Sequence, residues 1–98
     1  MDVQLQSIGF TATDKLKDFI QKRLDKLRTY FENIISVDVF LKLDSHQQVK
    51  DKVVEIKLNI PGATLFASET AKTFEEAVDL SVESIRRQLK KRKEKMRS

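Results

Sequence analysis

The apolar residues of this chain switch period along its length, and the order of those switches limits the fold more than any single motif does. Val3 and Leu5 alternate with Gln4 and Gln6, the period-two pattern of a short half-buried strand, and Gly9 ends it. From Leu16 the spacing becomes three and four: Leu16, Ile20, Leu24, Leu27 and Phe31 form one face of an amphipathic helix. Thr13 is a suitable N-cap, with Asp14 at the positive end of the helix dipole and Thr11 as the competing cap. This helix is predicted to stop near Asn33. Alternation returns in ISVDVFLKL, where Val37, Val39, Leu41 and Leu43 oppose Ser36, Asp38, Phe40 and Lys42. VVEIKLNI repeats it with Val54, Ile56, Leu58 and Ile60 inward. After the Pro61-Gly62 turn signal, TLFASE makes a short fourth strand. Thr73-Phe-Glu-Glu76 is a capping box ahead of a second helical period through Val78, Val82, Ile85, Leu89 and Met96.

Strand, helix, three strands, helix is a short menu. The first two strands are joined through a helix, so they can lie parallel with a right-handed crossover. The later connections are short enough for antiparallel hairpins. Each helix has one apolar stripe, and a sheet with one apolar face can bury both. The expectation is an α+β two-layer sandwich of order β-α-β-β-β-α, a four-stranded sheet with both helices packed on one face, in a single domain over residues 1–98.

Composition removes most enzyme chemistry. With 98 residues the chain supports one core. It has no cysteine and a single histidine, His46, so thiolate nucleophiles, disulfides and His-rich zinc sites are excluded and no metal or cofactor is expected. His46 sits in the polar connection DSHQQVKDK, where a histidine is a solvated side chain. Glu75 and Glu76 are explained by their place at a helix N-terminus. No phosphate-cradling loop or nucleophile elbow is present, so neither catalysis nor a small-molecule substrate is expected. The N-terminus lacks the basic and apolar regions of a secretory signal, and no stretch is long and apolar enough to span a bilayer. A soluble cytoplasmic protein is the reading.

Two aromatics need separate treatment. Strand alternation puts Phe40 and Phe66 on the outer sheet face, where aromatics can stack bases. The Gly-rich strand with paired aromatics found in RNA-recognition modules is missing, and those modules end in a strand. A short fourth strand also leaves Phe66 free to turn inward, and Phe40 free to pack on its neighbours.

Charge is distributed unevenly. RRQLKKRKEKMRS, residues 86–98, holds eight Lys or Arg against Glu94, a net +7, while the rest of the chain sums to −3 and the whole to +4. On a helix with about 100° per residue, Arg86, Lys90, Lys93 and Arg97 follow one flank of the apolar stripe, and Arg87 and Lys91 face solvent. Lys15, Lys22 and Lys26 make a similar line on the first helix, with Arg23 nearer its apolar edge. An ordinary solvated face mixes signs. Here Asp79 and Glu83 stop where the basic run starts, and like charges at steps of four repel. Such a face becomes strongly favourable when an anion arrives, and phosphates fit, each contact releasing counterions. A membrane helix would need free apolar residues beside the basic ones, and after Leu89 only Met96 remains. An acidic protein is a possible partner that nothing selects. Structured RNA is favoured over single strands, because the charge lies on rigid helices with few aromatics.

RLDKL at 23–27 with Tyr30-Phe31, PGATLFAS at 61–68 and TFEEAVDLSVESIRRQLKKRKEK at 73–95 together resemble the short ribosome hibernation promoting factors, relatives of the ribosome-associated inhibitor protein Y. The resemblance covers nearly the whole chain. It implies the same β-α-β-β-β-α sandwich, similar to a double-stranded-RNA-binding domain. It also implies a non-enzymatic factor that binds the small ribosomal subunit between head and body, contacts 16S rRNA, and overlaps the places of tRNA and mRNA. Carried onto this chain, the family's basic residues correspond to Arg23 and Lys26 on the first helix, and to Arg87, Lys90, Lys91 and Lys93 on the second, with Arg86 and Arg92 beside them. Lys22 joins them through its place on the first helix's basic line. Longer relatives carry a C-terminal dimerisation domain and protein Y relatives an acidic extension; neither is seen here, so a factor that is monomeric when free is expected. Asp14 stands where the family usually has Pro. The competing readings are a basic module that docks on an acidic protein and a general double-stranded-RNA binder.

Overall fold

The computed structural model describes residues 1–44 and 51–97, with side chains as far as Lys95. Its elements are β1 (Asp2–Ile8), α1 (Asp14–Tyr30), β2 (Ser36–Asp44), β3 (Asp51–Ile60), β4 (Ala63–Ala71) and α2 (Phe74–Arg97). The β-α-β-β-β-α order read from periodicity is the observed one. His46 and the middle of its connection lie outside the described residues, as do the side chains of Met96 and Arg97.

The four strands pair in chain order, β1-β2-β3-β4. β1 and β2 are parallel, with Val3 beside Val37 and Leu5 beside Val39; both later pairings are antiparallel. One inner row runs straight across the sheet as Leu5, Val39, Ile56 and Ala67, and the next as Val3, Val37, Leu58 and Leu65. Val37, Val39, Leu41, Val54, Ile56 and Leu58 are fully buried under the helices. Pro61 and Gly62, the latter with φ +81°, occupy the central positions of a type II turn between β3 and β4, where a side chain on Gly62 would be strained. β4 is longer than TLFASE alone suggested. Its outer row is Thr64, Phe66, Ser68 and Thr70, so Phe66 does not turn inward: it is 54% exposed on the open face. Phe40 lies on the same face, half-buried, across from Gln6 and Glu55.

Thr13 is the N-cap of α1, its Oγ1 accepting from the Leu16 N–H at 3.1 Å; Thr11 does not compete. Thr73 does the same for Glu76 at 3.2 Å. α1 ends at Tyr30, short of the predicted Asn33. Phe31 turns extended and its N–H still bonds to the Leu27 carbonyl at 2.8 Å. Phe31 and Ile34 remain buried beyond the helix, so the apolar pattern outlasted the element that began it.

The stripe of α2 is wider than its large apolar residues suggest: Val82 is half-buried and packs against the core, while the fully buried face is Ala77, Val78, Ser81, Ile85 and Leu89. Ala77 and Ser81 are small and fully buried, so the helix backbone can approach the sheet there. The Ser81 hydroxyl donates to the Val54 carbonyl at 3.1 Å, so its burial leaves no polar atom unsatisfied.

Candidate nucleic-acid interface

α1 and α2 lie side by side on the sheet and run parallel, because their contacts pair in the same order along both. Phe10, just before α1, stacks on Phe74, the first residue of α2, with ring centroids 4.9 Å apart. Further along, Arg23 Nε donates to Asp79 Oδ1 at 2.6 Å, while its guanidinium lies 4.5 Å over the Phe19 ring. At the far end Lys93 Nζ donates to the Tyr30 carbonyl at 2.9 Å and sits 4.7 Å from the centre of the Tyr30 ring. Three cross-helix contacts therefore hold one seam. Both helix C-termini fall at the same end, each with partial negative charge, and that is where Arg28 and the basic run of α2 collect. α2 is the longer helix, 24 residues against 17, and Lys93 in its basic run reaches Tyr30, the last residue of α1.

Within this frame the nine basic residues singled out from the sequence separate by what they touch. Lys22 and Lys26 on α1, and Lys90 and Lys91 on α2, are exposed, and their ammonium groups make no hydrogen bond or ion pair among the described residues. Arg87 is also exposed, with a charge interaction toward Glu83. Arg86 is committed: its Nε and Nη2 donate to the Glu83 carboxylate at 3.1 and 2.9 Å. That bidentate contact, helped by the Arg86 and Arg87 charges, holds the Glu83 carboxyl below the usual carboxylate range and raises Arg86. Arg23 and Lys93 are the seam contacts just described. Arg92 is half-buried, its guanidinium 3.9 Å from where a Cβ on Gly62 would stand, so it rests against the β3–β4 turn.

Along the seam the charge is sorted. Near the middle Asp79 and Glu83 neutralise the arginines beside them; toward the C-terminal end Lys90 and Lys91 are unmatched. The anchors of this arrangement, Phe19, Tyr30 and Asp79, were not identified from the sequence. Phe19 is four residues before Arg23, a spacing at which helix neighbours meet; nothing local marks Asp79 or Tyr30. Among the described residues no three His, Cys, Asp or Glu side chains cluster as metal ligands, and no helix is long and apolar enough to cross a membrane.

The family model described as Sigma 54 modulation protein / S30EA ribosomal protein matches residues 3–97. The chain belongs to that family. This is a family of ribosome-associated factors rather than enzymes, and the resemblance read from RLDKL, PGATLFAS and the α2 segment is borne out. The S30EA relatives include the ribosome hibernation promoting factor of Pseudomonas putida, 32% identical over 98 residues, covering 100% of this chain and 92% of that protein. Among solved structures, the N-terminal domain of Thermus thermophilus Protein Y superposes with a TM-score of 0.82 at 25% identity, covering 93% of this chain and 98% of that one. A ribosomal subunit interface protein from Coxiella burnetii shares the fold with a TM-score of 0.86 at 22% identity, over 95% of this chain and 98% of that one.

Proposed function

We propose that this S30EA-family chain is a ribosome hibernation factor. It binds 16S rRNA in the decoding cleft of the small subunit through Lys22, Lys26, Arg87, Lys90 and Lys91, occupies the places of tRNA and mRNA, and so inhibits translation in idle cells. The observation that carries this reading is the parallel packing of two helices, each of which presents exposed, unmatched lysines. Basic residues held this way read backbone and shape rather than sequence. Phosphates supply the counter-charge the lysines lack, and each contact makes binding more salt-dependent. Arg23, Arg86 and Lys93 contribute by keeping the frame in place, and Arg86 becomes a phosphate contact only if Glu83 lets it go. A ribosome-bound factor of this kind works in the cytoplasm, as a monomer when free.

Co-sedimentation with small subunits tests the assignment. The triple variant Arg87→Glu, Lys90→Glu, Lys91→Glu is expected to leave the circular dichroism spectrum intact and to abolish co-sedimentation. Retained ribosome binding by a folded triple variant would remove the site from these residues.

A further inference from the structure

The rRNA reading takes Lys91 from the flank of α2 that faces β4 and leaves the rest of that flank unexplained. There Leu65, Gln88, Lys91, Arg92 and Lys95 line one shallow hollow against β4, with no carboxylate among them. The hollow at the helix ends, by contrast, is lined by Tyr30, Lys90, Lys93 and Glu94. β4 is one of the two edges of the sheet. On its other side, on the open face, stands the exposed ring of Phe66, with the exposed Lys57 directly across from it on β3. Gln88 ties the two sides together: its Nε2 donates to the Phe66 carbonyl at 3.0 Å and lies 3.3 Å from Ser84 Oγ.

From this arrangement we infer that the β4 edge is a second nucleic-acid contact, one that takes a short single-stranded RNA segment, with a base stacked on Phe66 and the flanking phosphates on Lys57 on one side and Lys91 and Arg92 on the other. Single-strand sites combine an exposed aromatic face with a cationic track beside it, and this is where the described residues place an exposed aromatic ring next to unmatched cations. The alternative occupant of a sheet edge is a peptide strand. Such a strand would pair with the edge carbonyls, and Gln88 already takes that of Phe66. The sign of the hollow also selects a polyanion. This contact does not depend on the ribosomal role, since it is a property of the free domain.

The test uses the full chain, free of ribosomes, labelled with nitrogen-15 and titrated with a five-nucleotide oligouridylate. Amide shifts are expected at Phe66, Gln88, Lys91 and Arg92. Phe66→Ala should weaken binding about tenfold or more, because that is the usual effect of removing a stacking aromatic. Phe66→Tyr, which keeps the ring, should restore it. Arg92→Gln should lower the log-log salt slope by about 0.7, the value for one single-strand phosphate contact. The inference is overturned by absent binding, by shifts confined to Lys22, Lys26 and Lys90, or by an unchanged affinity in Phe66→Ala. Because Phe66 is exposed, that variant keeps the fold, and ribosome co-sedimentation of Lys90→Glu, which leaves the β4 flank untouched, reports separately on the rRNA site.

Discussion

Lys93 places its ammonium on the last carbonyl of α1, 2.9 Å from the Tyr30 oxygen, and at the same time over the Tyr30 ring. One side chain from α2 thus closes the C-terminus of α1, whose final carbonyls have no partner within their own helix. A lysine used in this way is a structural cation. Replacing it with Met removes a charge-assisted hydrogen bond and a cation–π contact, with an expected loss of about 1–2 kcal/mol in denaturant unfolding. Its effect on RNA binding should differ in kind from that of Lys90. Lys90→Met should lower the salt slope of ribosome binding by roughly 0.7–0.9. Lys93→Met should weaken binding with the slope unchanged. Equal slope changes for the two variants would make Lys93 a phosphate contact after all.

The Arg23–Asp79 pair predicts effects of opposite sign. Both side chains are partly exposed, 34% and 51%, so removing the pair with Asp79→Asn should cost less than about 1 kcal/mol of stability. The same change frees the Arg23 guanidinium on the seam. Affinity for the small subunit should therefore rise, with a steeper salt dependence. A fall in both stability and affinity would show instead that the pair's orientation matters more than its charge.

How these pairs escaped the sequence is a matter of distance along the chain. Arg23 and Asp79 are 56 residues apart, and Lys93 and Tyr30 63 apart, so no local pattern links them. Strand and helix order was readable because burial enforces a period on each element. Where burial outlasts an element, periodicity overruns it, as at Phe31, which is buried just beyond the end of α1. Where the buried face is made of small residues it is not legible: Ala77 and Ser81 carry little hydrophobic signal, although both are fully buried beside Val78. The basic side chains were visible as charges, but which of them are already spent on neighbours depends on the tertiary fold.

Glu83 supplies a pH dependence. Its bidentate partner Arg86 lowers its carboxyl below 4.5, the ordinary value. A group depressed on folding contributes stability above its unfolded value and loses it as pH falls through the folded value. The Glu83 contribution should therefore be complete at neutral pH and disappear only below about pH 4.5. Glu83→Gln should flatten that acid limb of the stability profile. At neutral pH the same variant releases Arg86, and the salt slope of ribosome binding should steepen by somewhat under one. An unchanged acid limb would mean that Glu83 is free in solution.

Leu89 is the last fully buried side chain described in α2, with no solvent exposure, and most of the basic run, from Lys90 on, lies beyond it. Leu89→Ala should cost about 2–5 kcal/mol, the transfer and cavity terms of a buried leucine. Val82→Ala, at a half-buried site, should cost clearly less. The two changes should also separate in binding. Loss of Leu89 detaches the segment that carries Lys90, Lys91 and Lys93 while the neighbouring turns of α2 stay anchored through Ile85, Ser81 and Val78. Hydrogen exchange should then show amides after Gln88 opening well before those at Ser81, and ribosome affinity should fall even where the domain remains folded. Uniform exchange along α2 in Leu89→Ala would place the anchor of the basic end elsewhere, in Lys93 and Arg92.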